Sequence, residues 1–123
     1  MRRYFAALQR GDEQAVRDAF AGHATWTLAA GDLPMSGTWE GRDGIMDGFF
    51  ATAMAHYEPG SVELEVTELI RERDQVVLQW TSRARTRDGW PYENGCIGVF
   101  TVRDGKIHAV REYMDTLYAG HAF

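Results

Sequence analysis

The sequence is short of the features that define several large classes of protein. It has one cysteine, Cys96, in 123 residues. No intrachain disulfide can form, and a lone thiol suits a reducing compartment. No stretch approaches the roughly 18 consecutive apolar residues that a membrane span needs. The opening "MRRYFAALQRGDEQ" carries two arginines, but an amphipathic mix follows where a secretory leader would have an apolar run. These absences predict a cytoplasmic protein with no membrane segment. Basic charge is also scarce, with 13 Lys and Arg against 18 Asp and Glu and a net charge of −5. Binding a polyphosphate calls for a basic surface that releases counterions, so no nucleic-acid partner is expected. "GRDG" lacks the spacing and the lysine of a phosphate loop. His23, His56, His108 and His121 have no metal-like spacing and no partnering cysteine pair, so no metal is expected.

What is present suffices for a core. Apolar residues make up 45% of the chain, with four Trp, five Tyr and six Phe, and a chain of this length buries roughly two thirds of its unfolded surface. We expect a single domain over residues 1–123, because no linker, repeat or low-complexity segment divides it. Tyr4, Phe5 and Leu8, then Val16 and Phe20, recur at helical spacing and are interrupted at "RGDEQ". That pattern predicts two short helices joined at Gly11, with Asp12 as N-cap. "ATWTLAA", Ala24 to Ala30, reads as a strand, ended by a Gly- and Pro-bearing loop. Ile45, Phe49 and Ala53, with Met46, Phe50, Met54 and Tyr57, lie on helical rows that stop at Pro59-Gly60, which predicts a third helix.

From Ser61 the apolar period changes to two, as in Val62, Leu64 and Val66. Asp88-Gly89 and Asp104-Gly105 mark hairpin turns, since such pairs tolerate the positive φ that tight turns demand. Helices first and an antiparallel meander second define the α+β class, with the helices on one face of the sheet.

A two-residue turn at Asp88-Gly89 would set Arg83 opposite Asn94, Thr81 opposite Cys96 and Gln79 opposite Gly98, all on one polar face. Leu78, Trp80, Ile97 and Val99 would take the other. The next turn has two readings, because "RDG" can close as two residues or as three with a bulge, and a one-residue shift reverses the faces. The longer loop puts Val110, Glu112 and Met114 beside Asn94 and Cys96. The shorter one puts Arg111 and Tyr113 there.

The element order, the "GTWEGRDGI" entry to the third helix and the ending "YENGCIGVFTVRDGKIHAVREYMDT" resemble the SnoaL-like branch of the nuclear-transport-factor-2-like superfamily. The strongest segment is "VFTVRDGKIHAVREYMDT". The resemblance implies a cone, or cystatin-like α+β roll: a strongly curved mixed sheet wrapped around about three helices, an apolar pocket, and a homodimer through the outer sheet face. It also selects the register with Glu112 inward, because a carboxylate faces the cavity at the matching position of the limonene epoxide hydrolases. The other two polar positions of that hydrolase site fall on Thr81 and Gln79. Compared with the ketosteroid isomerases, Tyr4 matches the catalytic tyrosine, while the base and second acid fall near Leu28 and Gly95.

The expectation is therefore a small cofactor-free acid–base enzyme, a cyclase, isomerase or dehydratase acting on a largely apolar molecule. Glu112 would move the proton, with Tyr4, Asn94 and Gln79 as donors to a developing oxyanion. Trp26, Leu28, Phe49, Phe50, Met54 and Tyr57 are expected to line the pocket, with Thr81, Arg83, Cys96, Val110 and Met114 around the carboxyl. Arg83 could instead pair with Glu112 and make it a structural group. The rival readings are a non-catalytic ligand-binding or accessory protein with the same pocket, and a dimeric interaction module.

Overall fold

A computed structural model describes residues 1–29 and 31–123. Ala30, the last residue of the first expected strand, lies outside the described residues. The chain opens with α1 (Arg2–Gln9) and α2 (Glu13–Asp18), followed by β1 (Phe20–Leu28) and β2 (Gly37–Glu40). A π-helical segment, Gly44–Phe50, continues as α3 (Ala51–Met54). Four strands follow, β3 (Glu63–Glu72), β4 (Gln75–Arg85), β5 (Pro91–Arg103) and β6 (Lys106–Met114), before a terminal turn of helix, α4 (Thr116–Ala119). The six strands form one curved sheet in the order β2-β1-β6-β5-β4-β3. β1 and β6 are parallel and every other neighbouring pair is antiparallel, so the sheet is mixed, and β2 and β3 leave it open at both edges.

Local chemistry accounts for most of these boundaries. Asp12 caps α2 by accepting from the Ala15 amide at 3.1 Å, and Asp115 caps α4 in the same way from Tyr118 at 2.9 Å. The expected third helix is π-helical over Gly44–Phe50. A Cβ on Gly48 would lie 2.7 Å from the Trp39 ring, so the glycine lets this segment sit directly on β2. Two expectations need correction. Phe20 begins β1 and does not end a helix, and "GTWE" forms β2, paired with β1 from Thr25–Glu40 to Leu28–Gly37. Both segments are too short for periodicity to separate strand from turn.

Two local irregularities set the faces of the sheet. Between β4 and β5 the Thr86 amide bonds the Trp90 carbonyl at 2.9 Å, and Gly89, at φ 87°, bonds back to Thr86 at 2.9 Å. The loop is therefore Arg87-Asp88-Gly89, three residues rather than two, and Trp80 faces Cys96 while Ser82 faces Asn94. The expected pairing is shifted by one. Trp80 and Leu78 are inward, whereas Gln79, Thr81 and Arg83 point to the outer face with Ile97 and Glu93. At the next hairpin Asp104 (φ 52°) and Gly105 (φ 73°) make a two-residue turn, which alone would turn Glu112 outward. His108 is an extra residue, a bulge between the pairs Val102–Ile107 and Thr101–Ala109, and it restores the inward row Val110, Glu112 and Met114.

The core lies between the concave face and the helices. Phe20, Leu28, Ile45, Leu78, Phe100 and Val110 are the largest of its fully buried side chains. Gly98, between Cys96 and Phe100 on the inward row, leaves room for two rings, since a Cβ there would sit 2.6 Å from Phe100 and 3.1 Å from Trp80. Gly98→Ala is expected to destabilise the fold by about 1–3 kcal/mol through overpacking, read as a lower urea midpoint at unchanged slope. A midpoint equal to that of the parent chain would contradict this packing.

Candidate functional site: a buried carboxyl in an aromatic cavity

Trp26 and Glu112 occupy neighbouring parallel strands, with Trp26 paired to Val110 and Leu28 to Glu112. Trp26 is thus diagonal to Glu112 on the concave face, and its indole Nε1 donates to the Glu112 carboxyl at 3.1 Å. Glu112 is 5% exposed. Its carboxyl opens into a cavity of about 100 Å³ roofed by Tyr4, Phe5 and Leu8 of α1 and by Phe49, Phe50 and Met54. Trp80, Ser82, Tyr92, Cys96 and Met114 line the sheet side, and Tyr57, Met35 and Phe123 close the ends.

No salt bridge reaches Glu112 among the described residues. Arg83 borders the cavity but directs its guanidinium outward, to Glu65 at 2.9 Å and Glu93 at 2.7 Å. Burial without a countercharge pushes the Glu112 pKa up to about 7, against the smaller opposing effect of the Trp26 hydrogen bond. Burial, with the adjacent Glu112 charge, raises the Tyr4 phenol well above its ordinary range, so it stays protonated. Among the described residues no protein group accepts from or donates to the Tyr4 hydroxyl. Burial likewise pushes Cys96 up to about 12, with a further rise from Glu112, leaving a neutral thiol and no nucleophile.

The other expected site residues divide cleanly. Trp26, Phe49, Phe50, Met54, Tyr57, Cys96 and Met114 border the cavity, as does Arg83 at its margin. Leu28 and Val110 are on the inward face but are packed away in the core. Gln79 and Thr81 are on the opposite side of the sheet, a correction that follows directly from the three-residue loop. Asn94 is buried behind the cavity wall, where its amide donates to the Tyr92 hydroxyl at 2.9 Å and to the Asp115 carbonyl at 3.1 Å. Both donors are engaged, so Asn94 orients Tyr92 and has no free N–H for a ligand.

Tyr92 and Ser82 were missing from the expected site. The signal for Tyr92 was present in the alternation Tyr92, Asn94, Cys96. Ser82 needed the correct register. Met35 and Phe123 come from a loop and the C-terminus, where no period announces an inward side chain.

An open curved sheet wrapped over helices, with a cavity between them, is the architecture of the NTF2-like superfamily. The chain belongs to the SnoaL-like domain family, whose model matches residues 1–119. An NTF2-like protein of unknown function from Burkholderia pseudomallei is similar over 98% of this chain and 92% of that one, at 23% identity and a TM-score of 0.88. An NTF2-like protein from Burkholderia thailandensis is 26% identical over 98% and 91% of the two chains, with a TM-score of 0.86. TerC, co-crystallised with polyporic acid, superposes with a TM-score of 0.86 at 22% identity over 98% and 92%. No functionally curated protein matches the sequence.

The raised Glu112 pKa has a consequence for stability. The folded state holds a proton that the unfolded chain releases above its ordinary value of 4.5. The contribution of this carboxyl to stability should therefore be greatest below that value and fall as pH rises through about 7, by an amount on the order of 3 kcal/mol. Glu112→Gln should flatten this slope in denaturation curves recorded at acid and alkaline pH, and an unchanged slope would refute it. Trp26→Phe removes the hydrogen bond that favours the charged form, so the Glu112 carboxyl should titrate at still higher pH by carbon-13 NMR.

Proposed function

We propose that this protein is a small acid–base enzyme of the cyclase, isomerase or dehydratase type, acting on a largely apolar carbonyl compound without a cofactor. The observation that carries the proposal is the Glu112 carboxyl, buried in an aromatic cavity without a cationic partner and held near pKa 7. A group with that pKa exchanges protons at neutral pH in either direction. As carboxylate, Glu112 would take a proton from the carbon next to the substrate carbonyl. The electron pair moves to the carbonyl oxygen, and the neutral Tyr4 hydroxyl donates a hydrogen bond to the enolate. Where a double bond adjoins that carbon, the dienolate spreads the electron pair to the far end of the double bond, and Glu112, now a carboxylic acid, returns the proton to that γ-carbon and completes an isomerisation. Tyr92, oriented by Asn94, supplies a second hydroxyl at the polar end of the cavity.

A second reading, a non-catalytic ligand-binding protein with the same cavity, draws on Thr81 and Gln79. They stand at two polar positions of the hydrolase-type site and lie on the outer face. The two readings separate on proton transfer. Deuterium exchange next to the carbonyl of a small ketone such as 2-butanone, followed by proton NMR, should be accelerated by the protein. Glu112→Gln should lose at least ~10²-fold of that rate while retaining the fold. Tyr4→Phe should lose less, since it removes one hydrogen bond to the enolate. Exchange equal in parent and Glu112→Gln would overturn the enzyme reading and leave the binding protein.

We also propose that the outer sheet face joins two copies of this chain. Ile97 is 41% exposed and Tyr113 49%, and they are cross-strand neighbours, with Ile70 exposed at 55% on β3. Leu78 and Trp80, expected there, are buried on the other face and take no part. Sedimentation should show a dimer that Ile97→Arg converts to monomer. A monomeric parent chain at micromolar concentration would refute the assembly.

A further inference from the structure

The cavity that receives Glu112 is too small for the molecules that pockets of enzymes usually hold. Its volume is about 100 Å³, room for roughly three water molecules, whereas ligand pockets commonly run to about 300–1,000 Å³. Beside it lies an open cleft of about 830 Å³ between α1, α2, the π-helical segment and the start of β3. The two share one wall, built from Leu8, Phe50, Met54, Val62 and Leu64. Met54, at 45% exposure, is an apolar side chain that the fold leaves uncovered at this junction. The cleft has an apolar floor, with Val16 and Met46, and its charged side chains, Arg10, Glu13, Asp47 and Glu63, are exposed, with Arg10 paired to Asp12, and Glu13 and Asp47 to Arg17.

From this juxtaposition we infer that the cleft is the second subsite of one bipartite ligand site, and that the substrate has a small carbonyl-bearing head and a longer uncharged apolar tail. The inference rests on the acid–base reading of Glu112 for the head. The tail follows from the volumes and the shared wall. The head, a few heavy atoms, passes the Met54 junction and reaches the carboxyl. The tail remains in the cleft, covering Met54, Val62 and Leu64, whose exposed apolar surface would otherwise stay in water. Selectivity for the remainder of the molecule then belongs to the cleft, while the chemistry belongs to the cavity.

A series of straight-chain methyl ketones from 2-butanone to 2-decanone tests this by isothermal calorimetry on the whole protein. Affinity should continue to rise past the length that fills the cavity, by about fourfold for each added methylene. Ala51→Trp fills the cleft from a side chain that is exposed and borders only the cleft. It should abolish the gain for long ketones and leave 2-butanone unchanged. Glu63→Trp does the same from the opposite wall, so the test survives if one variant folds poorly. Affinity that stops rising at 2-butanone or 2-pentanone would overturn the second subsite and leave the role of Glu112 intact. So would long-chain binding that is indifferent to both tryptophans. Failure of every ketone to bind would overturn both readings together.

Discussion

Side chains leave a strand on alternate faces, and the polar groups of Ser82, Tyr92, Cys96 and Glu112 reach the cavity only through how that alternation is set in three neighbouring strands. β4, β5 and β6 come into phase through two irregularities that contribute almost nothing to the core themselves. The three-residue loop at Arg87–Gly89 brings Trp80 and Ser82 inward, and the bulge at His108 does the same for Glu112 and Met114. Removing one residue from either would turn a row of aromatic and apolar side chains into water and bring charged ones into the core. The loop has its own fastening. The Thr86 hydroxyl bonds the Asp88 carboxylate and accepts from the Trp90 amide, so a single side chain satisfies both arms of the turn.

With the faces set, the environment of Glu112 follows. Its strand neighbour Trp26 supplies one hydrogen bond, and the aromatic walls supply no charge. A carboxylate in such surroundings loses hydration that one indole N–H does not replace, so the proton is retained to about neutral pH. This arrangement costs stability as pH rises above the carboxyl's ordinary value, most fully above about 7. Nothing in the fold requires the cost, because an apolar residue would pack in the same place. Burial of a titratable group at that expense is a pattern that active sites share with few purely structural positions.

One architecture hosts unrelated chemistries, so the chemistry resides in the site. Among the described residues that line the cavity, the side chains make a spare set: one carboxyl, neutral phenols and a protonated thiol. Such a set suits the movement of a proton within one apolar molecule better than the activation of water, which calls for a more polar and more crowded constellation. In the proposed function, the cavity would enclose the reacting atoms and the neighbouring cleft would hold the bulk of the molecule.

The sequence by itself determined the α+β order of elements, the positions of both Asp-Gly turns, the cap at Asp12, and the common face of Asn94 and Cys96. Each of these is local, fixed by period or by the φ a residue tolerates. It also carried, through its resemblance to a family, the inward direction of Glu112. What it left open was decided by tertiary packing. The same Asp-Gly pair closes a three-residue loop at one hairpin and a two-residue turn at the other, because glycine supplies the positive φ in both and cross-strand packing selects between them. The bulge at His108, the brief β2, the π-helical course over Trp39 and the arrival of Met35 and Phe123 at the cavity all depend on partners remote in the chain. The outward face of Gln79 and the isolation of Glu112 from Arg83 follow from those same long-range choices. A one-residue shift in register exchanges the two faces of a strand, and no property of the strand's own residues records which partner it will meet.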